Sequence, residues 1–258
     1  MTAQGRRAFH ILLLLVAVGF VLATVWTGFN PLEVAAGLGG VWTFLTEDFL
    51  PPEMPMYEVL TGGLVVTVAL ALSSSAVAAV FALFAAVLGS EAMTPCRWLA
   101  AAIRGFATFL RNIPTLVWAF ILFSSLGIGT GVGFVALFIT SFAFMTRTFI
   151  EVIDEIPQDT FDGLTAVGAD FFQKLAQCVI PCCMEGFISW YLYCLEVNIR
   201  ASTVVGMVGG GGIGMVLLSY LKQFRYPEAA GVILSMAVIV ILVDWATGIL
   251  REKVMHRE

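Results

Sequence analysis

MEGFISWYLYCLEVNIRASTVVGMVGGGGIGMVLLS runs from Met184 to Ser219. A helix that crosses a bilayer needs about 20 apolar residues, because each rises about 1.5 Å through a core of about 30 Å. The stretch is too long for one span, and Gly209 to Gly212 interrupt it. Glycine favours non-helical backbone. Inside a membrane such a break survives only where protein or a watery cavity shelters the freed backbone groups. Glu196, Asn198 and Arg200 stand among the apolar residues just before it. The stretch predicts an all-α integral membrane protein with a broken or re-entrant glycine-rich segment.

The rest of the chain extends that reading. Of 258 residues, 60% are hydrophobic and 12% charged, about half the charged fraction of a soluble domain. Further apolar runs cover about Ala8–Trp26, Glu58–Gly89, Ile113–Gly127, Gly131–Ile150 and Ala229–Leu250. With the opening stretch they make six spans in a single transmembrane domain over 1–258. Arg6 and Arg7 precede the first run, so a cleaved signal peptide is the rival reading there. The run's length and the lack of a small-x-small site favour a retained anchor. Small residues from Ser73 to Ala79 suit close helix packing. Gly127 to Gly131 is a short link, so the runs on either side predict a helical hairpin.

Charge sets the orientation. With the N-terminus in the cytosol, Arg6, Arg7, Arg97, Arg104, Arg111, Arg147, Lys174, Arg251, Lys253 and Arg257 fall on or near the cytosolic side. Arg200, Lys222 and Arg225 do not. This obeys the positive-inside rule. Both termini are then cytosolic, residues 28–57 form a periplasmic loop, and residues 154–181 form a cytosolic one. The first loop carries Pro31, Pro51, Pro52 and Pro55 with four acids and no Lys or Arg, with room for one short amphipathic helix. Trp26, Trp42, Trp98 and Trp118 suit interfacial belts.

The cytosolic loop reads DTFDGLTAVGADFFQKLAQCVIP from Asp159 to Pro181. Its apolar residues recur at helical spacing. The pattern predicts a helix, a turn at Gly168, a second amphipathic helix and a stop at Pro181. A plain amphipathic connector and a docking surface both fit.

Here the chain resembles the permease subunits of ABC importers. Their cytosolic signature is Glu-Ala-Ala, three residues, Gly, nine residues, then Ile-x-Leu-Pro. Asp162, Gly163 and Leu164 fill the first element, Gly168 and Ala169 follow after three residues, and Cys178 to Pro181 close it. Leu164 and Cys178 depart from the pattern. The block EVNIRASTVVGMVGGGGIG from Glu196 to Gly214 is similar to the permeases for phosphonates and related phosphorus oxyanions. TFLTEDFLPPEM, GVGFVALFI and ISWYLYCLEVNIRAS add to that likeness.

The resemblance implies a type I importer permease fold in the bacterial inner membrane. It implies a homodimer with a second permease copy, two ABC ATPase subunits docked on the 154–181 loops, and a periplasmic substrate-binding protein. ATP and Mg would bind the partner ATPase, with no cofactor on this chain. The substrate expected is phosphonate, phosphite, hypophosphite or a phosphate ester. A permease for another small solute such as an amino acid, and an ATP-independent secondary carrier, stay open as alternatives.

Glu196 and Arg200 stand i and i+4 on one helix face and can pair. Either they form a self-satisfying ion pair, or Arg200 with Ser202 and Thr203 offers donors to a passing oxyanion. Gly209, Gly211 and Gly214 satisfy G-x-G-x-x-G, but no strand-turn-helix unit surrounds them. They read as close helix packing or a turn lining the pathway. Arg111 precedes Pro114 and reads as an interfacial anchor, with a gate role as the alternative. Asp244 either snorkels or pairs with Arg251. Cys178, Cys182, Cys183 and Cys194 lack metal-ligand spacing and read as small packing residues. No catalytic arrangement, metal set or basic patch for nucleic acid is legible.

Overall fold

The computed structural model describes residues 3–94 and 96–255. His256 and Arg257 lie outside the described residues. The chain divides into two compact units, Met1–Pro51 and Pro52–Glu258. In the first, α1 (Ala3–Thr27) is the apolar run after Arg6 and Arg7. Next comes α2 (Pro31–Thr43), extended by a π-helical turn over Phe44–Asp48. Asn30 caps α2: its side chain accepts from Leu32 N at 3.1 Å and donates to Glu33 at 2.9 Å. Pro31 sits at the first helical position, where a missing N–H does no harm. The proline-rich loop thus holds the short helix expected of it.

The second unit contains α3 (Tyr57–Gly89), α4 (Arg97–Arg111), α5 (Thr115–Leu126), α6 (Thr130–Asp154), α7 (Gln158–Ala166) and α8 (Phe171–Lys174). It closes with α9 (Ile180–Val205), α10 (Ile213–Lys222) and α11 (Tyr226–Met255). Among the described residues five helical stretches are long and apolar enough to cross a membrane: Gly5–Thr27, Tyr57–Gly89, Thr130–Asp154, Phe171–Gly210 and Tyr226–Val254. The bent pair α4 and α5 adds a sixth where it is counted as one broken span.

Small residues bring the central helices together. Ala71, Ser75, Ala78, Ala82 and Ala86 of α3 are fully buried at helical spacing. Three of them meet Met145, Phe149 and Ile150 of α6 in the main core cluster. Close approach of this kind lets dispersion replace the hydrophobic drive that lipid cannot supply. Cys178, Cys183 and Cys194 are buried in the same cluster, as packing residues. Trp118 packs on a second cluster around Leu70, Val132 and Leu137.

Two expectations are corrected. The run Ile113–Gly127 is not a full span. Its helix, α5, has 12 residues, about 18 Å at 1.5 Å per residue, well short of a core of about 30 Å. It joins α4 at an 85° bend. Pro114 lacks an N–H and pushes Ile113 out of the helical region, so the helix must end. No apolar run marks α4 in the sequence, and its arginines recur every seven residues. Arg104 of α4 donates to Gly89 O at 2.8 Å and to Asp154 at 2.6 Å, and Ser90 donates to Asp154 at 2.6 Å. These bonds tie the ends of α3 and α6 together.

The second correction concerns Pro181, which does not stop a helix. The helical stretch runs on from Phe171 to Gly210. A π-helical turn over Leu175–Val179 precedes the proline, with Ile180 N–H bonded back to Leu175 O. A wider turn takes up the clash and the missing donor that proline brings to a regular helix. Asp244 and Arg251, one of the pairings considered, form no ion pair among the described residues; Arg251 Nε is buried without a partner.

Candidate functional site

The loop over residues 154–181 is built on one anchor and two caps. Phe161 of α7 is buried in the main core cluster, with Leu164 packed beside it. Asp162 and Gly163 face outward from the same helix. Gly168 then adopts φ +83°. Its N–H bonds Thr165 O at 3.0 Å, and Ala169 N–H bonds Leu164 O at 2.9 Å. That pair of bonds is a Schellman motif, which needs a left-handed residue at the position Gly168 holds.

Asp170 starts the next helix. It accepts from Gln173 N at 2.8 Å, and Gln173 Oε1 accepts from Asp170 N at 2.9 Å. This is a capping box, a signal in the sequence that the motif reading passed over. The two caps hold Val167 and Phe172 out at the tip, 80% and 74% exposed. Pro181 lies beyond the tip, on the first turn of α9.

The second group of residues lies on α9 and the glycine segment, and the structure divides it. Asn198 is buried, and its Nδ2 donates to Ser75 Oγ at 2.8 Å and to Ser141 Oγ at 2.6 Å. One amide thus joins α3, α6 and α9. Ser202 is buried and donates to Thr67 O at 3.4 Å. Thr203 is buried too. Glu196 and Arg200 form the expected i, i+4 ion pair on another face. The Arg200 side chain is 53% exposed in the single chain and the Glu196 side chain 14%.

After Val205 the helix breaks. Gly209 and Gly211 have φ of +105° and +83°. α10 begins at Ile213, whose N–H donates to Thr67 Oγ1 at 2.8 Å. A Cβ on Gly214 would collide with the Thr203 carbonyl, so α10 folds back tightly on the end of α9. Gly129 N–H bonds Gly209 O at 2.9 Å, linking the α5–α6 turn to the break. Thr67, Ser75 and Ser141, the polar partners of this segment, escaped the sequence reading. They lie between 57 and 146 residues from the groups they bind, and no local pattern marks such pairs.

The two groups serve different ends: an exposed apolar tip on one, a broken helix with a paired cation on the other. Among the described residues no three His, Cys, Asp or Glu side chains could share a metal ion.

Residues 78–256 match the family described as "Binding-protein-dependent transport system inner membrane component". The chain is 32% identical over 236 residues to a phosphite transport system permease protein of Stutzerimonas stutzeri, covering 91% of this chain and 86% of the relative. It is 30% identical over 196 residues to a phosphate-import permease protein of Mycolicibacterium smegmatis, covering 76% of this chain and 37% of that longer relative. Among solved structures, an inward-facing methionine ABC transporter superimposes with a TM-score of 0.69 at 21% identity, covering 78% of this chain and 99% of the other.

Proposed function

The chain belongs to the family of binding-protein-dependent transport system inner membrane components, and from that premise we propose that it carries a phosphorus oxyanion into the cell. Phosphite, hypophosphite, a phosphonate and a phosphate ester are the candidate substrates. The observation that carries this reading is the identity to a phosphite permease along 91% of the chain. The Glu196–Gly214 block lies within that length and supplies a cation already softened by a carboxylate. A pathway must bind weakly enough to release its cargo.

The chain acts as one of two permease copies. An ABC ATPase subunit docks on each 154–181 loop, and ATP and Mg bind there. The exposed Val167 and Phe172 support docking, because apolar side chains held out by two rigid caps suit a groove in a partner. Gly168 shapes the tip, with Asp162, Gly163, Leu164 and Ala169 beside it. A periplasmic binding protein delivers substrate. Both termini lie in the cytosol of a bacterium, and the 28–57 loop lies outside.

Affinity purification of the tagged chain from native membranes tests the assembly. An ABC ATPase should come with it in equal amount, and deleting the chain should abolish uptake of phosphite or a phosphonate. A chain purified alone, still able to carry solute, would point to a secondary carrier instead.

A further inference from the structure

Between α5, α6 and α9 lies a cavity of about 260 Å³. That is room for a small tetrahedral anion with some solvent. Arg111 lines it with Thr115, Thr140, Ser141, Phe144 and Tyr193. Arg111 is the one charged residue in that lining, and no carboxylate is present.

Arg104, Arg147, Arg200 and Arg225 each reach an acid. Arg111 reaches none among the described residues. Its guanidinium lies 5.5 Å from the Phe144 ring centroid, which holds the charge in place without neutralising it. Thr115 Oγ1 donates to Thr140 Oγ1 at 3.4 Å on the cavity wall, a long bond that the hydroxyl can exchange for an anion. Tyr193 stands against the same Phe144 ring, with centroids 5.7 Å apart.

The cavity's depth matters. Thr140 and Ser141 lie at the middle of α6, and Tyr193 lies at the middle of α9. Charged groups at such depth face a protein interior or water, not lipid. Tyr193, Val197 and Val204 are 41%, 39% and 43% exposed in the single chain. With Glu196 and Arg200 they form one stripe at helical spacing. That stripe, apart from Glu196, is left open in the single chain, as the lining of an aqueous path would be.

We infer that Arg111, with the hydroxyls of Thr115 and Tyr193, forms an oxyanion subsite on this path. The guanidinium supplies a planar fork of donors that suits phosphorus oxyanions. The inference rests on the proposed phosphorus-oxyanion reading. It makes Arg111, rather than the neutralised Arg200, the residue that holds the anion.

The test uses the complete transporter, with its ATPase and binding protein, in proteoliposomes. ATP-driven uptake of radiolabelled phosphite and methylphosphonate is measured for the wild type and for Arg111→Gln, Arg111→Lys and Tyr193→Phe. A charge-assisted hydrogen bond predicts a loss of about tenfold or more for Arg111→Gln. Arg111→Lys keeps the charge but loses the planar fork, so its loss should be smaller than that of Arg111→Gln, about threefold to fivefold. Tyr193→Phe should fall between the two. Wild-type uptake by Arg111→Gln would overturn the subsite, as would an equal loss in Arg111→Lys. A wild type that imports neither anion would overturn the phosphorus-oxyanion reading itself, and the subsite with it.

Discussion

Single residues divide sharply by where they point. Asn198 and Arg200 are two positions apart and both looked like pathway groups in the sequence. Asn198 instead bonds Ser75 and Ser141 across three helices. Asn198→Leu should leave those hydroxyls short of a partner, a penalty of about 1–3 kcal/mol. Thermal unfolding in detergent should show a lower midpoint, while an unchanged midpoint would remove the amide from the packing account. Arg200 stays paired to Glu196, as the i, i+4 spacing predicted. Removing the cation alone strands a carboxylate that is mostly buried, which is expensive. Arg200→Gln should therefore lower the yield of assembled protein, and adding Glu196→Gln should restore it. If the double variant also regains full transport, the pair is structural and Arg200 makes no contact with substrate. The pairing was legible because it is local. The Asn198 junction was not, because its partners come from helices far away in the chain.

Elements show the same limit at a larger size. The long apolar runs named the main helices, since the length needed to cross lipid is fixed. The run before Pro114 escaped because α4 is amphipathic and carries Arg97, Arg104 and Arg111 on one face. Pro181 looked like a stop, yet a π-helical turn absorbed it. Proline forbids a regular turn, and the chain answered by widening one. In the 154–181 loop the turn at Gly168 was legible, since it is the left-handed residue that the spacing called for. Valine there pays about 1–2 kcal/mol for the left-handed backbone, more with its branched side chain. Gly168→Val should misplace Val167 and Phe172 at the tip. We expect normal insertion in the membrane with at least a several-fold loss of substrate-stimulated ATP hydrolysis. Full stimulation in that variant would detach the tip from coupling.

For the whole molecule, the fold was readable and the orientation is inferred from charge. In the six-span reading ten of the 13 Lys and Arg residues fall on or near one side; Arg111 lines the cavity midway along α6 and α9, which leaves nine, with Arg257 outside the described residues. In a variant stripped of its five cysteines, a cysteine at position 47 should react with an impermeant maleimide from outside. A cysteine at position 170 should react only after the membrane is opened. Labelling of both from one side would invert or break the arrangement. The fold resembles a methionine transporter and an alginate transporter alike, so architecture does not fix the cargo. The central claim is that this permease moves a phosphorus oxyanion inward at the expense of ATP on its partner. The most direct measurement is ATP-dependent accumulation of radiolabelled phosphite in proteoliposomes that hold the permease, its ATPase and its binding protein. The account predicts accumulation that needs all three components and is suppressed by unlabelled phosphonate. Accumulation of methionine in place of either anion would contradict it.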